Sequence, residues 1–119
     1  MKEVDKQIRK SLTNPSEYEF GDIIGWKILE HGIYGAVSIE DTLMEEAVRA
    51  LANPSQSDIK IKSGESGASP LAALIGLLNS KEHDGFKKAI QLNASSKILV
   101  INTEGDTDRV NYKRILKSA

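Results

Sequence analysis

The chain has 119 residues, 39% hydrophobic and 28% charged, with a formal net charge of −1. That length suits at most one domain with a single core, and the composition is that of a folded chain rather than a disordered one. The near-zero charge gives no electrostatic case for nucleic acid or an acidic membrane, no apolar run is long enough to span a bilayer, and the lack of cysteine excludes disulfide and thiol chemistry.

The amino terminus, Met1-Lys2-Glu3-Val4-Asp5-Lys6, lacks the apolar centre of a signal peptide, so a cytoplasmic location is expected. Residues 2–12 place Val4, Ile8 and Leu12 on one helical face before Asn14-Pro15. That stripe is thin, and residues 1–20 read as a helix or linker arm ahead of a single domain at 21–119. Residues 22–31 read as a helix bearing Ile23, Ile24, Trp26 and Ile28, and residues 33–39 as a strand. The helix at 40–52 is the clearest. Leu43, Met44, Ala47, Val48 and Leu51 form its stripe, and Thr42 and Glu45 have capping-box spacing.

Ile59-Lys60-Ile61-Lys62 alternates as an edge strand does. A loop, Ser63-Gly64-Glu65-Ser66-Gly67-Ala68-Ser69, leads to a predicted helix over 70–78. Ser69 is read as its N-cap, Pro70 as its first residue, and Leu71, Leu74, Ile75 and Leu78 as its stripe. A polar helix with Phe86, Ile90 and Leu92 follows, then a uniformly apolar strand at 97–101. The loop Asn102-Thr103-Glu104-Gly105-Asp106-Thr107-Asp108 precedes a last helix, with Asp106 or Thr107 as the expected cap. Strands alternating with helices imply an α/β fold: a small, mainly parallel sheet flanked by helices in three layers.

Two Gly-containing loops at strand ends suggest one shared site. A nucleophile elbow at Ser66 needs glycine where Ala68 stands, and a histidine beyond Asp106 that the chain lacks. A phosphate loop needs a lysine after the glycines, and none follows. The plain alternatives are a tight turn for the first loop and helix capping by acidic residues for the second. Two histidines, His31 and His83, are too few for a histidine metal centre, and no metal is expected.

Leu51-Ala52-Asn53-Pro54, Ile61-Lys62-Ser63-Gly64-Glu65-Ser66-Gly67-Ala68 and the run from Ala94 through Asp108 occur in that order in one family. The chain resembles the carboxy-terminal part of the diaminopropionate ammonia-lyases, pyridoxal-phosphate enzymes of the threonine-dehydratase group (fold type II). The resemblance covers about residues 21–119 and is firmest in the last two-thirds.

It implies that Thr103 delivers a hydroxyl to the pyridine nitrogen of pyridoxal phosphate. Gly64, Glu65 and Ser66 would line the same side of the cofactor, and Asp106 would brace the turn below Thr103. It also implies that the Schiff-base lysine and the phosphate-binding Gly-rich loop are absent from this chain. Lys87 follows the Gly-Glu-Ser-Gly loop, whereas the family's lysine precedes it, and Asn14-Pro15-Ser16-Glu17 departs from the family's usual turn. The expected role is therefore a pocket wall without catalytic residues, inactive alone, meeting an amino-acid substrate only with the missing part. A homodimer is expected, and the rival reading is a non-catalytic, self-associating α/β module.

Overall fold

The computed structural model describes residues 31–118 apart from Gln56. The chain divides into two compact units, Met1–Val37 and Ser38–Ala119, and the second contains every element discussed below. The arm at 1–20 lies outside the described residues, as does nearly all of the helix expected at 22–31.

The second unit is helical. Its elements are α1 (Asp41–Ala52), α2 (Glu65–Asn79), a 3-10 turn (Lys81–His83), α3 (Asp84–Ala89) and α4 (Arg109–Lys117). This corrects the expected α/β fold: among the described residues there is no strand and no sheet. The runs at 33–39, 59–62 and 97–101 carry no ladder. A strand is defined by repeated bonds to a neighbour, and an apolar pattern does not supply that neighbour. The Ile61 N–H donates instead to the Leu51 carbonyl at the end of α1 (2.9 Å), and the second and third runs are joined beyond their ends by Gly64 N–H to Glu104 O (3.2 Å).

The core forms where α1, α2 and α4 meet. Ala47 and Val48 of α1, Ala68 and Ala72 of α2, and Ile115 of α4 are buried, with Leu43, Met44, Leu51, Leu71, Ile75 and Tyr112 packed around them. The apolar stripe predicted for α1 is the face it buries. On α2 the buried positions Ala68 and Ala72 are small and spaced by four, so α1 approaches closely. Gly76 continues that row, and a Cβ there would stand 3.0 Å from Leu43 Cδ1. Leu78, expected on the buried stripe, is exposed, and Leu77 is buried in its place.

Three helix ends differ from expectation. The N-cap of α1 is Glu40, with no side-chain capping bond, so Thr42 and Glu45 form no capping box. Asp108, rather than Asp106 or Thr107, caps α4, its carboxylate accepting from Val110 N–H (3.1 Å) and Asn111 N–H (2.9 Å).

The third is α2, which begins at Glu65, so Pro70 lies inside it. Proline has no N–H to give to the carbonyl four residues back, here that of Ser66. The Ser69 hydroxyl donates to that carbonyl at 2.8 Å and fills the gap.

At the end of α3, Leu92 N–H bonds Lys87 O (2.8 Å), Gln91 N–H bonds Lys88 O (3.0 Å), and Gln91 has φ 56°. This is a Schellman ending whose left-handed residue is not glycine. Gln91→Gly is expected to raise stability by about 0.5–1 kcal/mol by removing the Cβ penalty, read as a higher urea midpoint at unchanged slope.

Candidate functional site

The two Gly-containing loops meet. Gly64 N–H donates to Glu104 O, and a Cβ on Gly64 would fall 2.6 Å from Glu104 Oε2 and 2.8 Å from the Gly105 carbonyl. Gly67 faces the same loop, where a Cβ would meet the Asn102 carboxamide, the Glu104 carbonyl at 2.7 Å and the Ser63 hydroxyl at 2.8 Å. Both glycines are therefore required by close approach.

Asn102 ties the loops together. Its Oδ1 accepts from Glu104 N–H (3.2 Å), an Asx turn with Thr103 between the two ends, and lies 3.0 Å from the hydroxyl of fully buried Ser63. Its Nδ2 reaches the Lys62 carbonyl at 3.5 Å. Thr107 Oγ1 donates to Glu104 Oε1 at 2.6 Å and closes the second loop on itself.

Between the loops and the start of α4 lies a cavity of about 100 Å³, lined by Ser63, Gly64, Glu65, Ser66, Glu104, Thr107, Asp108, Asn111, Tyr112 and Ile115. Of the residues expected at a site, Gly64, Glu65 and Ser66 line it. Thr103 is exposed and lies outside its lining. Asp106 pairs with Lys62 (Nζ to Oδ2, 3.7 Å) across the loop pair. Sequence reasoning did not single out Ser63, Asn102 or Asn111, and it took Thr107 and the acidic residues of the second loop as helix-capping chemistry. For Asn102 the signal was present, because an Asn two residues before a turn residue commonly caps the main chain.

Glu65 is held by a chain of polar contacts that runs through α4 to α1. Asn111 Nδ2 donates to its Oε2 (2.5 Å), Asn111 Oδ1 accepts from Arg114 Nε (2.8 Å), and Arg114 Nη2 bonds Glu45 Oε1 (2.7 Å). Glu45 also pairs with Arg49 (3.5 Å), whose guanidinium reaches the Ile115 carbonyl and Ser118 near the end of α4. A cation there is favoured by the helix dipole.

The hydrogen bond from Arg114 holds the Glu45 carboxyl below its ordinary value. Folding thus favours the ionised form. Its stabilisation is complete above the unfolded chain's carboxylate pKa and is lost as pH falls through the lower folded value. Glu45→Gln is expected to lower stability at neutral pH and to leave it unchanged below the folded carboxylate's pKa, which flattens the acid limb, measured as Tm against pH. The pair is exposed, so the effect is small.

Among the described residues the lining carries three carboxylates, those of Glu65, Glu104 and Asp108, and no lysine or arginine. Such a surface repels a phosphate dianion. Among the described residues no three His, Cys, Asp or Glu side chains are grouped to hold a metal. Lys87 lies outside the lining, its Nζ engaged by Asp84 (2.7 Å) and by the Ser80 carbonyl (3.1 Å).

The sequence that forms this site has counterparts among known proteins. The chain is similar to the carboxy-terminal part of the diaminopropionate ammonia-lyases. It is 34% identical to the Escherichia coli protein of that name over 93 residues, covering 78% of this chain and 23% of the relative. It is 34% identical to that of Salmonella typhimurium over 96 residues, covering 80% and 24%. The chain thus spans about a quarter of the length of the curated relatives it matches. No family model and no solved structure matches it. No helix among the described residues is long and apolar enough to cross a membrane.

Proposed function

We propose that this chain supplies the pyridine-ring side of the cofactor pocket in a pyridoxal-phosphate-dependent lyase that acts on 2,3-diaminopropionate, yielding pyruvate and ammonia. The reading is carried by the coincidence of the matched motifs with the two loops that pack together around Asn102. In it the Thr103 hydroxyl hydrogen-bonds the ring nitrogen, and Gly64, Glu65 and Ser66 line the same side. Asp106, paired with Lys62, braces the turn that bears Thr103.

When bound, the cofactor supplies an electron sink for charge developing at the substrate Cα. A hydroxyl partner does not force a proton onto the ring nitrogen, which keeps that sink mild and suits prompt elimination. The acidic lining leaves the phosphate to be held by other parts of the enzyme. With Lys87 engaged by Asp84, no lysine among the described residues lines the site, and in this reading the chain does not catalyse alone.

Two measurements test this. Pyridoxal phosphate is mixed with the full chain, reduced with borohydride, and the labelled lysines are mapped by peptide mass spectrometry. Scattered, substoichiometric labelling is expected. One stoichiometric adduct at a single lysine would show that the chain has its own catalytic amine and would reject the reading. In a hybrid carrying this chain in place of the matched quarter of the Escherichia coli lyase, Thr103→Ala is expected to lower kcat/KM about tenfold or more and to shift the cofactor absorbance. An unchanged spectrum and rate would remove Thr103 from the pocket.

The exposed apolar run at 98–101 favours a second reading, a non-catalytic module that self-associates as a homodimer. Light scattering of the full chain separates the two.

A further inference from the structure

We propose that residues 98–101, together with Ile59 and Ile61, form a docking surface for the part of an ammonia-lyase that precedes the matched region in the relatives. The proposal rests on the lyase reading above and adds the surface through which the segment is held.

Ile98, Leu99, Val100 and Ile101 are four consecutive exposed apolar residues, Leu99 at 86%, and Ile59 in the neighbouring run is at 84%. Isolated exposed apolar residues are ordinary, but a run of this kind beside a second one marks an interaction surface. The two runs enter the loop pair side by side, fastened at their ends by Asn102 Nδ2 to the Lys62 carbonyl and by Gly64 N–H to Glu104 O. Their apolar residues therefore stand next to the proposed pocket wall.

The occupant follows from length and position. The matched region is the carboxy-terminal part of proteins about four times as long as the stretch it covers, so most of a relative's chain stands ahead of it. Every residue from 97 to 101 is exposed, so successive side chains of an extended run are uncovered on both sides. A second copy meeting this patch across a twofold axis covers one side. A larger body that brackets the run covers both.

The full chain is co-expressed with a tagged Escherichia coli diaminopropionate ammonia-lyase that lacks its carboxy-terminal quarter. We expect co-purification at one to one, and about tenfold or greater loss of captured chain for Leu99→Asp with Ile101→Asp. Both positions are exposed, so the circular dichroism of the chain alone should not change. Equal capture of the double variant overturns the proposal. So does a stable dimer of the chain alone that the double variant dissociates and that the truncated lyase does not recruit.

If the truncated lyase is insoluble, the contest is run during refolding of the intact lyase from denaturant. Excess chain should lower the recovered activity, and the double variant should not; no effect of the chain overturns the proposal. The two readings fail separately. Capture that depends on Leu99 and Ile101, with cofactor absorbance indifferent to Thr103→Ala, keeps the docking surface and rejects the pocket wall.

Discussion

Gly67→Ala is expected to destabilise the chain by about 3 kcal/mol, although alanine normally stabilises a helix over glycine by about 1 kcal/mol. Steric conflict decides the sign. The new Cβ would meet the Glu104 carbonyl at 2.7 Å and the buried Ser63 hydroxyl at 2.8 Å, and main chain cannot step aside as a side-chain tip can. Relief requires that the start of α2 and the second loop move apart, which breaks the bonds around Asn102.

Gly76→Ala, in the same helix, is the control. Its neighbour is Leu43 Cδ1 at 3.0 Å, the end of a flexible side chain, and propensity should roughly cancel the contact. Urea denaturation of both variants checks the contrast. Equal midpoints would mean that the loops are not in the close contact described.

Ile115→Ala should cost about 3 kcal/mol, within the 2–5 kcal/mol range for large-to-small changes at buried sites. Ile115 is 1% exposed, the largest fully buried side chain among the described residues, and it belongs both to the core and to the lining of the cavity. The site opens onto an existing void, so collapse around the missing atoms is hindered. Against a total stability of about 5–10 kcal/mol this is a large fraction. The expected signature is a lower Tm with Ile115→Val close to wild type. A fall for valine as large as for alanine would point to a backbone cause instead.

Much of the helical part was legible because its signals are local. The stripe of α1 is a periodicity, and the acidic loop marks the approach to α4, although its cap is Asp108 and not the expected Asp106 or Thr107. The start of α2 was misplaced because Ser69-Pro70 has the form of a helix beginning. A serine hydroxyl that replaces a missing amide donor is a local repair that leaves the same two letters in the sequence. The strands failed for a different reason. Apolar character at 97–101 reports that the run has surface to bury and does not report which neighbour takes it.

At the site, the glycines and the acidic residues were readable as loop chemistry. The polar chain from Arg49 through Glu45, Arg114 and Asn111 to Glu65 was not, since it joins residues up to 69 positions apart in sequence.

The two loops are held at a fixed spacing by Asn102 and by main chain, through Gly64 N–H, the Glu104 carbonyl and the close approach at the two glycines. Spacing and chemistry are thereby uncoupled. Ser66 can be exchanged for other residues without moving that frame, whereas Gly64 and Gly67 cannot, and Thr107 and Asp108 are tied to it by the second loop and the α4 cap. A library restricted to Ser66 should yield a high proportion of folded proteins, which makes this wall of the cavity a natural place to rewrite selectivity.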